Sequence, residues 1–317
     1  MTTIAIVGAG LIGRAWAFVF ARAGLQVQVW DRDPGVLDRF MSDIAAMIGD
    51  TAPLGQAGED PDGIAGRIRI CPRIEQALAG ADLVQESGPE VLEIKRALFA
   101  DLDRLAPPDA IIASSSSALM VSSYAGDLPG RARCLVGHPV NPPHLVPVVE
   151  LSPGPHTSPD TMTRAEAIYR AAHQVPVVMT REIDGFILNR LQAVVLAESL
   201  RLIEEGIVTV QGLDDTIRHG LGRRWAFMGP METISLNAPG GPADYLRRYG
   251  PTMARLANDA ARGEAFTDRA AALVGAAFPD TDPAAIRARA QWRDGELAAL
   301  AQHLAAHRAA TTRTENT

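Results

Sequence analysis

Short apolar runs alternate with stretches of helical period along the first part of the chain, and near residue 185 the alternation stops. The runs at 3–7, 26–30, 68–70, 82–85, 110–113, 133–137, 146–150 and 175–179 have the length of strands and are bounded by glycine, proline or charge. Helical stretches such as 91–105 and 161–172 lie between them. Strand and helix in turn is the pattern of an α/β protein with a doubly wound, mostly parallel sheet, whose strands are covered on both faces and read as unbroken apolar runs. The stretch 49–66, rich in glycine, proline and acid, reads as a surface loop. From Gly185 onward only the helical period remains. The stretch 186–205 is apolar on most of its faces, so other helices or a second subunit are expected to cover it. The alanine-rich remainder runs to about His307 and is followed by a frayed tail at 309–317. Two domains are expected: 1–184 holds the sheet, and 185–317 is all helical.

The first strand runs directly into Gly8-Ala9-Gly10-Leu11-Ile12-Gly13 and then into a helix. In this spacing Gly8 makes a tight turn, Gly10 lets the backbone approach a pyrophosphate, and Gly13 lets helix and strand pack closely. The amino end of the helix, at Leu11, Ile12 and Gly13, offers free N–H groups to phosphates. Asp31 closes the second strand, at the distance from the third glycine where this fingerprint carries a ribose-binding acid. Strand, turn, helix, second strand and terminal acid in that register identify a Rossmann dinucleotide site. A carboxylate accepts from both ribose hydroxyls of NAD and repels the extra phosphate of NADP. NAD is therefore the expected cofactor, with Arg32 partly offsetting the repulsion. Asp33 and Pro34 read separately, as the N-cap and first position of the next helix.

Candidate chemistry follows the later strands. His138 stands at the end of the run 133–137, and Glu150 closes the run 146–150. Histidine exchanges protons near neutral pH, and a carboxylate on its far ring nitrogen would fix the tautomer and stabilise the imidazolium. Ser114 to Ser117 come directly after the run 110–113, where such sheets bind ligands. Ser117 is a candidate donor to a substrate oxygen, while one of these serines reads as the N-cap of a helix from Ala118. Asn141, in Asn-Pro-Pro, reads by itself as a turn residue. Asn189 is an amide in an apolar run, and a buried amide needs partners; a substrate oxygen or the histidine region would provide one.

Composition narrows the classes. A net charge of −7 argues against a nucleic-acid partner or an anionic membrane surface. Cys71 and Cys134 have neither metal-ligand nor redox spacing and read as reduced thiols, so no metal site is expected. The first strand begins within a few residues of Met1, which leaves no room for a signal peptide, and no apolar run is long enough to span a membrane. A cytoplasmic protein is expected.

Taken together, the motifs resemble those of the 3-hydroxyacyl-CoA dehydrogenase superfamily, and within it the L-gulonate 3-dehydrogenase/lambda-crystallin branch. The resemblance runs over nearly the whole chain. It rests on the glycine fingerprint, on Gln85-Glu86-Ser87-Gly88-Pro89-Glu90 with Lys95, and on Ser114 to Ser117. It continues through His138-Pro139-Val140-Asn141-Pro142 and Glu150 to Gly185-Phe186-Ile187-Leu188-Asn189-Arg190. It ends on the segment from Gly220 to Thr233, which holds Arg223, Arg224 and Trp225. It implies that His138 takes the hydroxyl proton and Glu150 orients it. Ser117 and Asn189 would bond the reacting oxygen, Asn141 would support the site, and Glu90, Lys95 and Ser115 would lie on the cofactor side. From spacing alone, Glu90 and Lys95 would instead be an exposed helical pair. The acyl-CoA enzymes usually carry asparagine at Ser115, and the gulonate branch usually has an apolar residue at Arg223.

The substrate expected from the resemblance is a small 3-hydroxy carboxylate of the L-gulonate type, oxidised to the 3-keto acid by a homodimer. Arg224, in a glycine-rich turn and followed by Trp225, would hold the carboxylate, unless it pairs with acids of its own domain. CoA is disfavoured because 35–66 carries Asp38, Asp43, Asp50, Glu59, Asp60 and Asp62 against a single Arg39. Carnitine, 3-hydroxybutyrate and 3-hydroxyacyl-CoA remain alternative substrates on the same fold, and an idle NAD-binding structural protein is the alternative of another class.

Overall fold

A computed structural model of the chain describes residues 2–51, 61–260 and 264–315, with side chains through residue 306. All eight expected strands form: β1 (Thr3–Val7), β2 (Gln26–Trp30), β3 (Ile68–Ile70), β4 (Leu83–Glu86), β5 (Ile111–Ser114), β6 (Cys134–Pro139), β7 (Val148–Pro153) and β8 (Val175–Val178). They join in one sheet in the order β3-β2-β1-β4-β5-β6-β7-β8. The pairs from β3 through β6 are parallel, β7 is antiparallel to β6, and β8 is parallel to β7. Chain length decides this reversal. The link from Pro139 to Val148 is too short for a crossover, so β7 returns antiparallel, whereas the helix Pro159–Ala171 carries the chain across to a parallel β8.

The sheet is apolar on both faces. Ile4 and Ile6 point into one core with Trp16, Phe20, Phe40 and Ile44, while Ala5 and Val7 point into the other with Leu78, Phe99 and Leu102. Period-two alternation thus divides one strand between two helical layers.

Several helical segments differ from expectation. The helix Pro34–Thr51 reaches into the stretch expected as a loop, and Pro61–Gly66 is helical as well; residues 52–60, Glu59 and Asp60 among them, lie outside the described residues. Phe40, Ile44, Ile48 and Thr51 are buried, so a helical apolar face continues beneath the acids and Gly49 that suggested a loop. At the other end, the helix Pro283–Glu315 includes most of the tail expected to fray.

The chain divides into two compact units, one of residues up to Ile187 together with those from Trp292 onward, the other Leu188–Gln291. The second unit holds the helices Leu188–Glu204, Val210–Thr216, Pro230–Ser235, Gly241–Ala260 and Asp268–Ala277. The glycine-rich stretch expected as a turn is a π-helical segment, Ile217–Leu221, that runs straight into the helix Gly222–Trp225. Leu191, Val194 and Leu196 on the first of these helices are exposed in the single chain. Among the described residues, no helix is long and apolar enough to cross a membrane.

Candidate active site

The glycine turn after β1 has the geometry its spacing predicts. Gly8 has φ +97°, and a Cβ there would stand 2.7 Å from the Ser87 carbonyl carbon. Only glycine accepts both conditions. At Gly13 a Cβ would meet the Gly8 carbonyl oxygen at 1.8 Å, whereas at Gly10 it would meet nothing within 4 Å. The turn is therefore closed toward the protein and open at Gly10. The helix Leu11–Arg22 has Gly10 as N-cap, without a side-chain cap and without an acid in its first turn, and its first internal bond runs from Arg14 N–H to Gly10 O. Leu11, Ile12 and Gly13 thus have N–H groups with no partner inside the helix. Asp31 is tied to the same turn: Oδ2 accepts from Ala9 N–H at 2.6 Å and Oδ1 from Asp33 N–H at 2.8 Å. Asp33 caps the next helix through Gly35 N–H at 2.9 Å. Uncapped amides, an open glycine and an acid at the neighbouring strand end fit the pyrophosphate and ribose of a dinucleotide.

His138 and Glu150 are direct partners in the β6–β7 register. Glu150 was expected at the end of its strand, but it lies near the start of β7, which continues to Pro153. Because β7 runs antiparallel, its early residues lie at the sheet edge where β6 ends, and this places the carboxylate beside the histidine. His138 Nδ1 and Glu150 Oε2 are 2.9 Å apart, with both side chains buried. A carboxylate can only accept, so Nδ1 carries a hydrogen, and in the neutral ring Nε2 keeps the lone pair. The second oxygen, Oε1, accepts from Ile187 N–H at 2.9 Å. Ile187 is held there by the turn at Gly185 (φ 72°) and Phe186 (φ 49°), a costly conformation for a phenylalanine. The buried Phe186 ring lies 5.3 Å from the His138 ring.

The serines after β5 are organised by Glu90. Its carboxylate accepts from Ser117 Oγ at 2.6 Å, from the N–H groups of Ser117 and Ala118, both at 2.9 Å, and from the Ser116 hydroxyl. Burial pushes this carboxyl up, but the hydrogen bonds from Ser116, Ser117 and Ala118 outweigh it and hold the pKa at about 2. The hydroxyl hydrogen of Ser117 is thus directed to Glu90. No helix starts at Ala118; Ser116 Oγ instead accepts from Leu119 N–H at 2.8 Å in a tight turn. Ser115 Oγ meets Gln85 Nε2 at 2.7 Å and Ser87 Oγ at 2.8 Å.

Lys95 corrects the reading of an exposed pair with Glu90. It is 1% exposed, and its ammonium donates to both oxygens of Glu86, at 3.0 and 2.8 Å. Asn141 lies exposed in the turn after β6. Asn189, Arg224 and Trp225 belong to the second unit, where Arg223 and Arg224 are exposed and neither forms an ion pair with an acid among the described residues. Gln85, Glu86, Gly137 and Tyr169 were given no role by sequence reasoning, although Gln85 and Glu86 stand in the motif that carries the resemblance. Gln85 carried a usable signal, an amide inside an apolar strand. Tyr169 carried none, since its helical neighbours give no hint of a polar partner in the sheet.

Comparison with known proteins agrees with this geometry. The NAD-binding domain of 3-hydroxyacyl-CoA dehydrogenase matches residues 3–183, and the C-terminal domain of the same family matches residues 185–269. The chain is 44% identical to the lambda-crystallin homolog of Bos taurus, over 94% of each chain. It is 39% identical to L-carnitine dehydrogenase of Burkholderia mallei, over 79% of this chain and 78% of that one. Among solved structures it resembles 5-formyl-3-hydroxy-2-methylpyridine 4-carboxylic acid 5-dehydrogenase, an NAD+-dependent dismutase, with TM-score 0.82 and 27% identity over 96% of this chain and 99% of that one. With an NAD-binding turn, a buried His–Glu pair and a helical second unit, the chain is an NAD-dependent dehydrogenase that belongs to the 3-hydroxyacyl-CoA dehydrogenase family, in the branch of lambda-crystallin.

Proposed function

We propose that this dehydrogenase oxidises the 3-hydroxyl of a small free hydroxy carboxylate of the L-gulonate type to the 3-keto acid. The observation that carries the reading is the buried His138–Glu150 pair on the sheet edge that also bears the dinucleotide turn. NAD+, when bound, supplies the acceptor for the hydride that leaves carbon. His138 takes the hydroxyl proton on Nε2. Glu150, already bonded to the Nδ1 hydrogen, stabilises the imidazolium that results. Ser117 is assigned to the reacting oxygen from its motif; to donate there, its hydroxyl hydrogen would turn away from Glu90. Asn189 is assigned to the reacting oxygen, and Asn141 to support of the site, from their motifs alone. The excess of acids over the single Arg39 in the segment 35–66 supports a free acid over a CoA ester.

Arg224 is assigned to the substrate carboxylate and Trp225 to the wall beside it. A guanidinium pairing with a carboxylate acts in ground and transition states alike, so its loss raises KM more than it lowers kcat. Arg224→Met is expected to weaken free hydroxy acids with NADH affinity unchanged, and Arg223→Met to matter less. Steady-state kinetics over L-gulonate, carnitine, 3-hydroxybutyrate and a 3-hydroxyacyl-CoA checks both the residue and the class. Turnover of the CoA ester with free acids inert would overturn the proposal. The likeness to L-carnitine dehydrogenase favours carnitine as the second reading, in which the Trp225 ring would face a quaternary ammonium.

Asp31 sets the cofactor preference. Its carboxylate already carries two backbone N–H bonds and is held where a 2′-phosphate would have to sit. NADH is expected to bind well over NADPH in fluorescence titrations; equal affinity would remove Asp31 from that role.

A homodimer built through the helical unit belongs to the same proposal. Leu191, Val194, Phe227, Met231 and Leu236 are exposed there, and a second copy would take such side chains out of water.

A further inference from the structure

Gln85 is fully buried in β4. Its amide nitrogen is 3.4 Å from the Gly137 carbonyl oxygen, and a carbonyl only accepts, so the group facing Gly137 must be the NH2 end. The rest of the amide is then fixed. Nε2 also donates to Ser115 Oγ at 2.7 Å, and Oε1 takes the hydroxyl hydrogen of Tyr169. Tyr169 is fully buried, and burial pushes its hydroxyl above the ordinary range, so it stays a neutral donor. Gly137 is shaped to this arrangement: a Cβ there would stand 2.3 Å from the Tyr169 hydroxyl oxygen.

The polarity matters at the serines. Ser115 Oγ and Ser87 Oγ are 2.8 Å apart, and the two hydroxyls hold two hydrogens. One closes the bond between them, and Gln85 needs none because it donates. One O–H therefore remains for a ligand, whichever serine carries it. With the amide reversed, Oε1 would take that hydrogen and the pair would present lone pairs only.

The order of strands says what ligand group this donor meets. Asp31 follows β2, the glycine turn follows β1, Ser87 follows β4, Ser115 follows β5, and His138 stands on β6, with neighbouring strands about 4.8 Å apart. A dinucleotide with its adenosine ribose at Asp31 and its pyrophosphate on the glycine turn extends over β4 and β5 toward His138. We propose that Gln85, anchored by Tyr169, is a positioning residue that makes the Ser87–Ser115 pair a single hydrogen-bond donor to the carboxamide oxygen of the nicotinamide. The same amide braces Gly137, so one buried side chain sets both the nicotinamide contact and the strand carrying the histidine. The inference needs dinucleotide binding only and is independent of the substrate class proposed above.

Titration of Gln85→Glu, whose carboxylate would take the spare serine hydrogen, with NADH and with ADP-ribose tests it. NADH affinity is expected to fall about three- to tenfold, the worth of one hydrogen bond, while ADP-ribose, which lacks the nicotinamide, binds within about twofold of wild type. Equal weakening of both ligands, or no change in either, overturns the proposal. Should Gln85→Glu fail to fold, Ser87→Ala combined with Ser115→Ala, which removes both hydroxyl hydrogens, carries the same test, with the same selective loss of NADH expected and an equal loss or none overturning it.

Discussion

His138→Ala is expected to lower turnover by about 10²–10⁴-fold, the usual worth of a general base, with NADH affinity unchanged. The reason is geometric. Nδ1 is committed to Glu150 at 2.9 Å, so Nε2 is the ring's proton acceptor, and an alanine leaves nothing in its place. The cofactor contacts of the glycine turn lie across the sheet, after β1, and do not depend on the imidazole. Glu150→Gln is expected to lose less. A glutamine can accept from Nδ1–H or from Ile187 N–H, but its NH2 end then faces a second donor, so one of the two bonds is lost. Steady-state and single-turnover rates beside an NADH titration would show this. A His138→Ala variant of near wild-type rate would falsify the assigned role.

Lys95→Met is expected to cost about 3–5 kcal/mol of stability, because breaking a buried ion pair leaves a charge without its partner. Glu86 is fully buried, and with Lys95 removed its carboxylate keeps only neutral donors, Ser114 Oγ at 2.6 Å and Gly88 N–H at 2.6 Å. Glu86→Gln combined with Lys95→Met should recover much of the loss, since neither charge then remains. Urea unfolding of the two variants measures the difference. NADH titration of the folded fraction adds a second decision. Unchanged affinity means that the lysine serves the cofactor edge by holding the ends of β4 and β5, whereas a selective loss of NADH means that its charge reaches the cofactor. A stability loss below about 1 kcal/mol, the range of exposed pairs, would show that burial does not make this pair costly to break.

Local sequence determined a large part of this protein. The glycine spacing, the eight apolar runs and the acid ending the second strand each act through neighbours close along the chain, which is why the dinucleotide turn, the strands and the cap at Asp33 form where their residues indicate. The pairing of His138 with Glu150 was legible only through the family motif, because a glutamate at the far end of its run would not face the end of β6. Tertiary structure alone decided the rest. The antiparallel turn of β7 put Glu150 near the start of its strand, and burial took Lys95 from Glu90 and gave it to Glu86. Glu90 was left to gather the serines, and Tyr169, 84 residues from Gln85, came to orient that amide. These outcomes share one physical cause: a buried polar group must take whatever partner the fold brings within hydrogen-bond reach. Residues distant in sequence become such partners only when helices cross the sheet, and neither spacing nor periodicity records that crossing.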